Sequence, residues 1–188
     1  MALPPAVPKP RVSVTSYPPG LEEPNPQPGD FLVTHGTAWT SRLIRFGEAI
    51  RYRGSNRRFA HWSHAVAVVS ESGAIVEALG KGVTAGEISK YAGSEYSYVR
   101  IQSTAADRAE MAAFASSQVG SEYGYLTIGS IAFALVTSGR LRFGLSGTEI
   151  CSGLVARMLE RGRYSWVDPS SVMPADLARF FDVPGPSA

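Results

Sequence analysis

Short apolar runs separated by polar and glycine-containing segments predict an antiparallel sheet in the first half of the chain. The clearest pair is 64–69 and 74–79, which the turn Ser70-Glu71-Ser72-Gly73 joins into a predicted hairpin. The segments 31–34 and 96–101 are similarly rich in apolar and aromatic residues and predict two further strands. A small antiparallel sheet is therefore expected.

Helical spacing dominates the second half of the chain. Thr104 and Asp107 resemble a capping box for a helix that runs to about Val119 and is closed by Gly120. Apolar residues at intervals of three and four give another helix one buried face, and they are Cys151, Leu154, Val155 and Met158. Three more segments predict helices: 39–50, 123–136 and 174–181. Together with the strands, this pattern predicts an α+β fold in which helices pack on a small antiparallel sheet.

Proline divides the chain into two regions. Residues 1–28 contain nine of the thirteen prolines, which disfavours helix and interior strand and favours extended polyproline II. We therefore expect an arm or tether at 1–28 and a single folded domain at 29–188. An arm of this composition needs a surface to lie on, so a partner chain or an assembly is a hypothesis for it.

Composition limits the classes of function. A hydrophobic content of 44% suits a compact domain, and a net charge of +2 predicts no general affinity for nucleic acid. One cysteine excludes an internal disulfide and a multi-cysteine metal site, and His61 and His64 have no further candidate ligand near them, so we expect no metal and no cofactor. The start lacks the features of a secretory signal, and the apolar stretch 128–136 is too short to span a bilayer. We therefore expect a protein that is made in the cytoplasm and has no transmembrane segment.

Cys151 is the most informative residue because it lies at the predicted start of its helix, with Thr148 as a possible N-cap. The positive end of the helix dipole favours the thiolate, which is the reactive form of cysteine. The alternative interpretation is a small buried hydrophobic residue, which is how a lone cysteine in an apolar stripe usually behaves.

His64 and Glu77 can supply the acid–base chemistry that a thiol nucleophile needs. If Val69 pairs with Ala74 across the hairpin, His64 and Glu77 point to one face as diagonal neighbours. A carboxylate there would hold the imidazole in one tautomer and stabilise its cation. A register shifted by one residue would place Glu77 on the opposite face, where it would be a solvent-facing strand residue.

The run Cys151-Ser152-Gly153-Leu154-Val155 resembles the nucleophile motif of NlpC-type cysteine peptidases, which cleave peptide bonds in bacterial cell walls. In those enzymes the cysteine precedes the histidine. The order histidine, acid, cysteine found here is similar to the circularly permuted branch of the papain-like superfamily, the YiiX-like hydrolases. Five further segments resemble elements of that branch: 29–32, 62–67, 75–78 with 82–83, 119–124 and 173–177. The resemblance covers about residues 29–181.

This resemblance implies a permuted papain-like fold and a set of roles. Cys151 would attack a carbonyl, His64 would take and return the proton, and Glu77 would orient His64. The backbone N–H of Cys151 would help to stabilise the oxyanion. Tyr123 and His35 would line the substrate-binding side of the site, the alternative for Tyr123 being a core aromatic residue.

The implied activity is that of a cysteine amidase or peptidase that forms an acyl-enzyme on a bacterial cell-wall peptide or a related amide. Ile150 stands where such peptidases often carry an aspartate, which leaves other substrates open. One alternative is a lipid acyltransferase or hydrolase of the same fold, for which the arginines of 42–58 and the apolar 128–136 would meet a membrane surface; the arginines alternatively form a solvated face. Another is a structural component of an assembly, such as a bacteriophage particle, docked through its proline-rich arm. We accordingly expect the protein to be part of a particle or to be released at the cell wall.

Overall fold

A six-stranded antiparallel sheet is the centre of the computed structural model, which describes residues 12–35, 54–79, 82–121 and 151–186. The strands are β1 (Val12–Tyr17), β2 (Phe31–Thr34), β3 (His64–Val68), β4 (Ala74–Leu79), β5 (Gly82–Glu87) and β6 (Tyr96–Ile101). Their spatial order is β1-β6-β2-β3-β4-β5, and every neighbouring pair is antiparallel. The α+β class predicted from the sequence is confirmed.

The hairpin of β3 and β4 has the register that its turn predicts. Val69 donates its N–H to the carbonyl of Ala74 over 2.8 Å, and Ala67 lies opposite Val76. Gly73 ends the turn with φ of +88°, a backbone conformation that glycine adopts without steric cost. His64 and Glu77 therefore point to the same face of the sheet.

The helices are α1 (Ala105–Ser117), α2 (Cys151–Arg161) and α3 (Pro174–Phe180), and 3-10 segments cover Gly54–His61, Ile88–Tyr91 and Pro169–Ser171. Thr104 caps α1 by accepting the N–H of Asp107, as the sequence predicts. The helices predicted at 39–50 and 123–136 lie outside the described residues. None of the helices within the described ranges is long and apolar enough to cross a bilayer.

Helix α2 packs on one face of the sheet and places its first residue beside the start of β3. Leu154, Val155 and Met158 are fully buried in one cluster with Ala65 and Ala67 of β3, and α1 packs alongside α2. The apolar spacing read from the sequence therefore produces the packing that brings Cys151 to the sheet.

Two strands were not predicted. Residues 12–17 were expected to be extended arm, but this stretch contains no proline and is rich in valine, serine and threonine, and it forms the edge strand β1 against β6. The polyproline II prediction is wrong for these residues. Strand β5 alternates small and polar residues with few apolar ones, so it gave no clear signal, yet it pairs with β4 along its whole length.

The described part of the proline-rich region that follows β1 lies on this chain's own sheet. Tyr96 and Tyr98 accept the backbone N–H groups of Glu23 and Gln27 through their hydroxyls, over 2.8 and 2.9 Å. Asp30, which is fully buried, accepts hydrogen bonds from Tyr98 and from the guanidinium of Arg108. The described residues of the arm therefore lie on a surface of the same chain.

Candidate active site

Cys151 is the first residue of α2 and is 3% exposed. The next residue, Ser152, is buried and donates its hydroxyl to the carbonyl of Val172 over 2.7 Å, which fixes the first turn of the helix against the segment that precedes α3. The first described turn of α2 is therefore held at a defined position.

His64 begins β3, opposite Thr34 of β2. Its Nε2 lies 2.9 Å from Oε2 of Glu77, a hydrogen bond between side chains of adjacent strands. This is the diagonal contact that the hairpin register predicts, so the structure brings these two candidate residues together.

The thiol of Cys151 is the other partner of this imidazole, because its charge and a hydrogen bond with it raise the pKa of His64. Because Nε2 is engaged by Glu77, Nδ1 is the ring nitrogen that remains for the sulfur. The imidazole thus bridges a thiol from α2 and a carboxylate from β4, and the three candidate residues form one connected chain. Residues 64 and 151 are far apart in sequence, and the packing of α2 on β3 is what joins them.

The described pairing of β3 with β4 ends before the residues that lie near Cys151. The described ladder between β3 and β4 pairs Ala67 with Val76 and does not continue to Ala65 and Ala78. Hydrogen bonding from the backbone N–H groups of Ala65 and Ser152 helps to lower the pKa of the Cys151 thiol. Two backbone donors and the imidazole therefore surround the sulfur and favour its anion.

The electrostatics favour a thiolate–imidazolium pair. Burial opposes the charged form of His64, but the charge and hydrogen bond of Cys151, with those of Glu77, outweigh it and raise the pKa of His64 to about 9. Burial also opposes charge on Cys151, and the charge and hydrogen bond of His64 outweigh it, so the pKa of the thiol lies below its ordinary value. Both directions favour the proton on the ring.

Glu77 is 1% exposed and fully hydrogen-bonded. Burial alone would raise its pKa, but hydrogen bonds from His64, Lys90 and Tyr91 bring the pKa to about 2. Lys90 donates to Oε1, and the hydroxyl of Tyr91 donates to Oε2 over 2.5 Å. Neither residue was a candidate in the sequence analysis, because the 3-10 segment that carries them follows β5, which was itself not predicted.

Of the two candidate substrate-binding residues, the structure describes one. His35 follows β2, its Nδ1 lies 3.1 Å from the carbonyl oxygen of His61, and the two rings are 4.7 Å apart. The structure thus places His35 against the Gly54–His61 segment, one residue beyond the strand partner of His64. Tyr123 lies outside the described residues. Within the described ranges, no group of three histidine, cysteine or carboxylate side chains could hold a metal ion.

Acid should destabilise the protein partly through Glu77. Because its pKa in the native state, about 2, lies below the ordinary value of 4.5, the stabilisation is complete above pH 4.5 and is lost as the pH falls through 2. We expect Glu77→Gln to remove up to about 3 kcal/mol of this acid dependence, measured as the free energy of urea unfolding against pH. The exposed Glu71 of the same hairpin supplies the control Glu71→Gln, which should leave the pH dependence unchanged. A Glu77→Gln variant with the wild-type acid dependence would contradict this prediction.

No protein-family model matches the chain, and no curated protein matches it significantly. The geometry of the site is therefore the observation on which a function can be argued.

Proposed function

We propose that this protein is a cysteine hydrolase of permuted papain-like fold in which Cys151 is the nucleophile, His64 the acid–base group and Glu77 the residue that orients His64. The observation that carries the proposal is the bridging position of His64, whose ring hydrogen-bonds the Cys151 thiol and the Glu77 carboxylate. A nucleophile, a base and an orienting acid in hydrogen-bond sequence are the parts that acyl transfer requires.

The reaction follows from the charges. The Cys151 thiolate forms a bond to the carbonyl carbon, and the carbonyl electron pair moves to oxygen, for which the N–H of Cys151 is our proposed donor. The His64 imidazolium gives its proton to the leaving nitrogen as the carbon–nitrogen bond breaks, which leaves a thioester. Water then attacks the thioester while His64 accepts a proton, and the carbon–sulfur bond breaks to restore the thiolate and imidazolium.

The buried charges also argue against an inert scaffold. A thiolate, an imidazolium and a carboxylate that are each at most 14% exposed are expensive to desolvate, and apolar residues of similar volume would fold at least as well. This physical cost supports an enzyme over the structural alternative.

As substrate we propose an amide of the bacterial cell-wall peptide type, which is the chemistry that the resemblance of the motifs implies, with action at the cell wall. Purified bacterial cell-wall sacculi should then release new amino groups when incubated with the protein. Release of fatty acid from phospholipid vesicles, with no reaction on sacculi, would instead favour the lipid acyltransferase or hydrolase alternative.

Acylation by p-nitrophenyl acetate tests the nucleophile directly. The thiolate should attack the ester carbonyl and release p-nitrophenolate, giving a burst of about one equivalent per chain at about pH 6 and an acetyl group on Cys151. The same chain unfolded in guanidinium chloride is the matched control, since its thiol then has an ordinary pKa. Native protein that is acylated at Cys151 no faster than the unfolded chain would overturn the proposal.

A further inference from the structure

The three residues of the proposed catalytic chain do not balance in charge. The thiolate of Cys151 and the carboxylate of Glu77 contribute two negative charges, and the imidazolium of His64 contributes one positive charge. Cys151 is 3% exposed, the side chain of His64 14% and that of Glu77 1%, so this net negative charge lies mainly out of water. A buried excess charge is costly and would return a proton to the sulfur unless a cation compensates it.

Lys90 is placed to compensate it. It lies in the 3-10 segment Ile88–Tyr91, directly after β5, and its Nζ donates to Oε1 of Glu77, the oxygen that His64 leaves unused. Its side chain is 41% exposed, so the ammonium retains part of its hydration while it contacts a buried carboxylate. This cation is therefore cheaper to keep charged than a fully buried one.

Tyr91 serves Glu77 differently. Its hydroxyl donates to Oε2, the same oxygen that accepts from His64. It therefore helps to orient the carboxylate without adding charge. The pKa of Tyr91 is raised by burial and by the adjacent Glu77, so the hydroxyl remains a neutral donor. The described charged and titratable groups that face Glu77 are thus His64 on β3, Lys90 and Tyr91 on the 3-10 segment and, through His64, Cys151 on α2.

We propose that Lys90 is the counter-ion of the site: its ammonium balances the second negative charge of the Cys151–His64–Glu77 chain and so keeps the sulfur ionised. Lys90 is a positioning residue, because it acts through Glu77 and does not touch the sulfur. The inference rests on the proposed function, since the thiolate that Lys90 sustains is the proposed nucleophile. With Lys90 included, the four groups carry two positive and two negative charges.

Alkylation by iodoacetamide measures the ionised fraction of the thiol without any substrate. The thiolate attacks the methylene carbon, a sulfur–carbon bond forms and iodide leaves. We expect Lys90→Met, which keeps the aliphatic stem, to slow alkylation about tenfold at about pH 6 and to leave the rate at high pH unchanged, because the pKa of Cys151 rises while its reactivity does not fall. Lys90→Arg should restore the wild-type pH profile.

Two further variants separate charge from hydrogen bonding. Tyr91→Phe removes a donor but no charge, and should change the rate at about pH 6 by no more than about twofold. Arg161→Met removes one positive charge from the exposed end of α2, about 15 Å along the helix from Cys151, and should match the wild type. Lys90→Gln repeats the measurement if the methionine variant does not fold.

The outcomes distinguish this inference from the proposed function. If wild-type protein is alkylated at about pH 6 no faster than glutathione, the thiolate is absent and the proposed function fails. If the wild type reacts fast and neither Lys90→Met nor Lys90→Gln changes the pH profile, the proposed function stands and the counter-ion is overturned. Equal losses in Lys90→Met and Tyr91→Phe would also overturn it, since orientation and not charge would then be the cause.

Discussion

Replacing Cys151 by alanine should abolish the hydrolysis of p-nitrophenyl acetate, with a fall in kcat/KM of about 10⁴-fold or more. Every covalent step of the proposed reaction passes through the sulfur, and neighbouring groups cannot replace it because His64 and Glu77 then have no nucleophile to activate. The measurement is the initial rate of p-nitrophenolate release above the uncatalysed rate, at saturating and at low ester concentration.

The fold should survive this substitution. Alanine removes one sulfur atom from a buried position, which costs about 1 kcal/mol in packing, and it also removes a buried negative charge. The thermal unfolding midpoint of the variant should therefore lie within a few degrees of the wild type. A folded Cys151→Ala protein that retains wild-type turnover would contradict the assignment of the nucleophile.

Replacing His64 by alanine should lower the same kcat/KM by about 10³-fold. The variant loses the cation that stabilises the thiolate, so a much smaller fraction of the thiol is ionised at about pH 6; p-nitrophenolate itself leaves without a proton. The thiol should then ionise at a higher pH than in the wild type, because the imidazolium no longer opposes the effect of burial. The pH profile of iodoacetamide alkylation should move upward accordingly.

His61 supplies the matched control for this variant. It lies three residues earlier and its Nε2 is 3.4 Å from the carboxylate of Glu95, so its ring lies beside a different carboxylate. His61→Gln should leave the alkylation profile of Cys151 in place. A His64→Ala protein whose thiol still ionises at the wild-type pH would show that the imidazole does not control the sulfur.

The hairpin and the helix of Cys151 could be predicted from the sequence for a clear physical reason. A short turn ending in glycine favours one register, and register fixes which side chains share a face, so the contact of His64 with Glu77 was predicted on the condition that Val69 pairs with Ala74. The apolar stripe of α2 likewise predicted which face would be buried. Both inferences depend only on residues close together in the chain.

The roles of Lys90 and Tyr91 could not be predicted from the sequence in this way. They follow β5, whose alternation of small and polar residues resembles a loop when the partner strand is unknown, and β5 becomes recognisable only through its pairing with β4. Lys90 by itself looks like an ordinary surface lysine. Its meaning depends on the tertiary placement of Glu77, which local patterns do not encode.

The strand β1 illustrates a different limit. Proline counts averaged over 1–28 concealed six consecutive residues that contain none, and those residues pair with β6 at the sheet edge. An edge strand needs no strong apolar alternation, because its outer side faces water. Composition over a long window was therefore a poor guide to this short element.

The central claim is that the proton shared by Cys151 and His64 resides on the imidazole, and NMR titration of the histidine ring signals tests it most directly. The chain has three histidines, so the His64 signals are identified by their loss in His64→Ala. We expect His64 to remain an imidazolium through neutral pH and to titrate at about 9, and to titrate at a lower pH in Cys151→Ala. A His64 ring that titrates near 6.5 in both proteins would contradict the account.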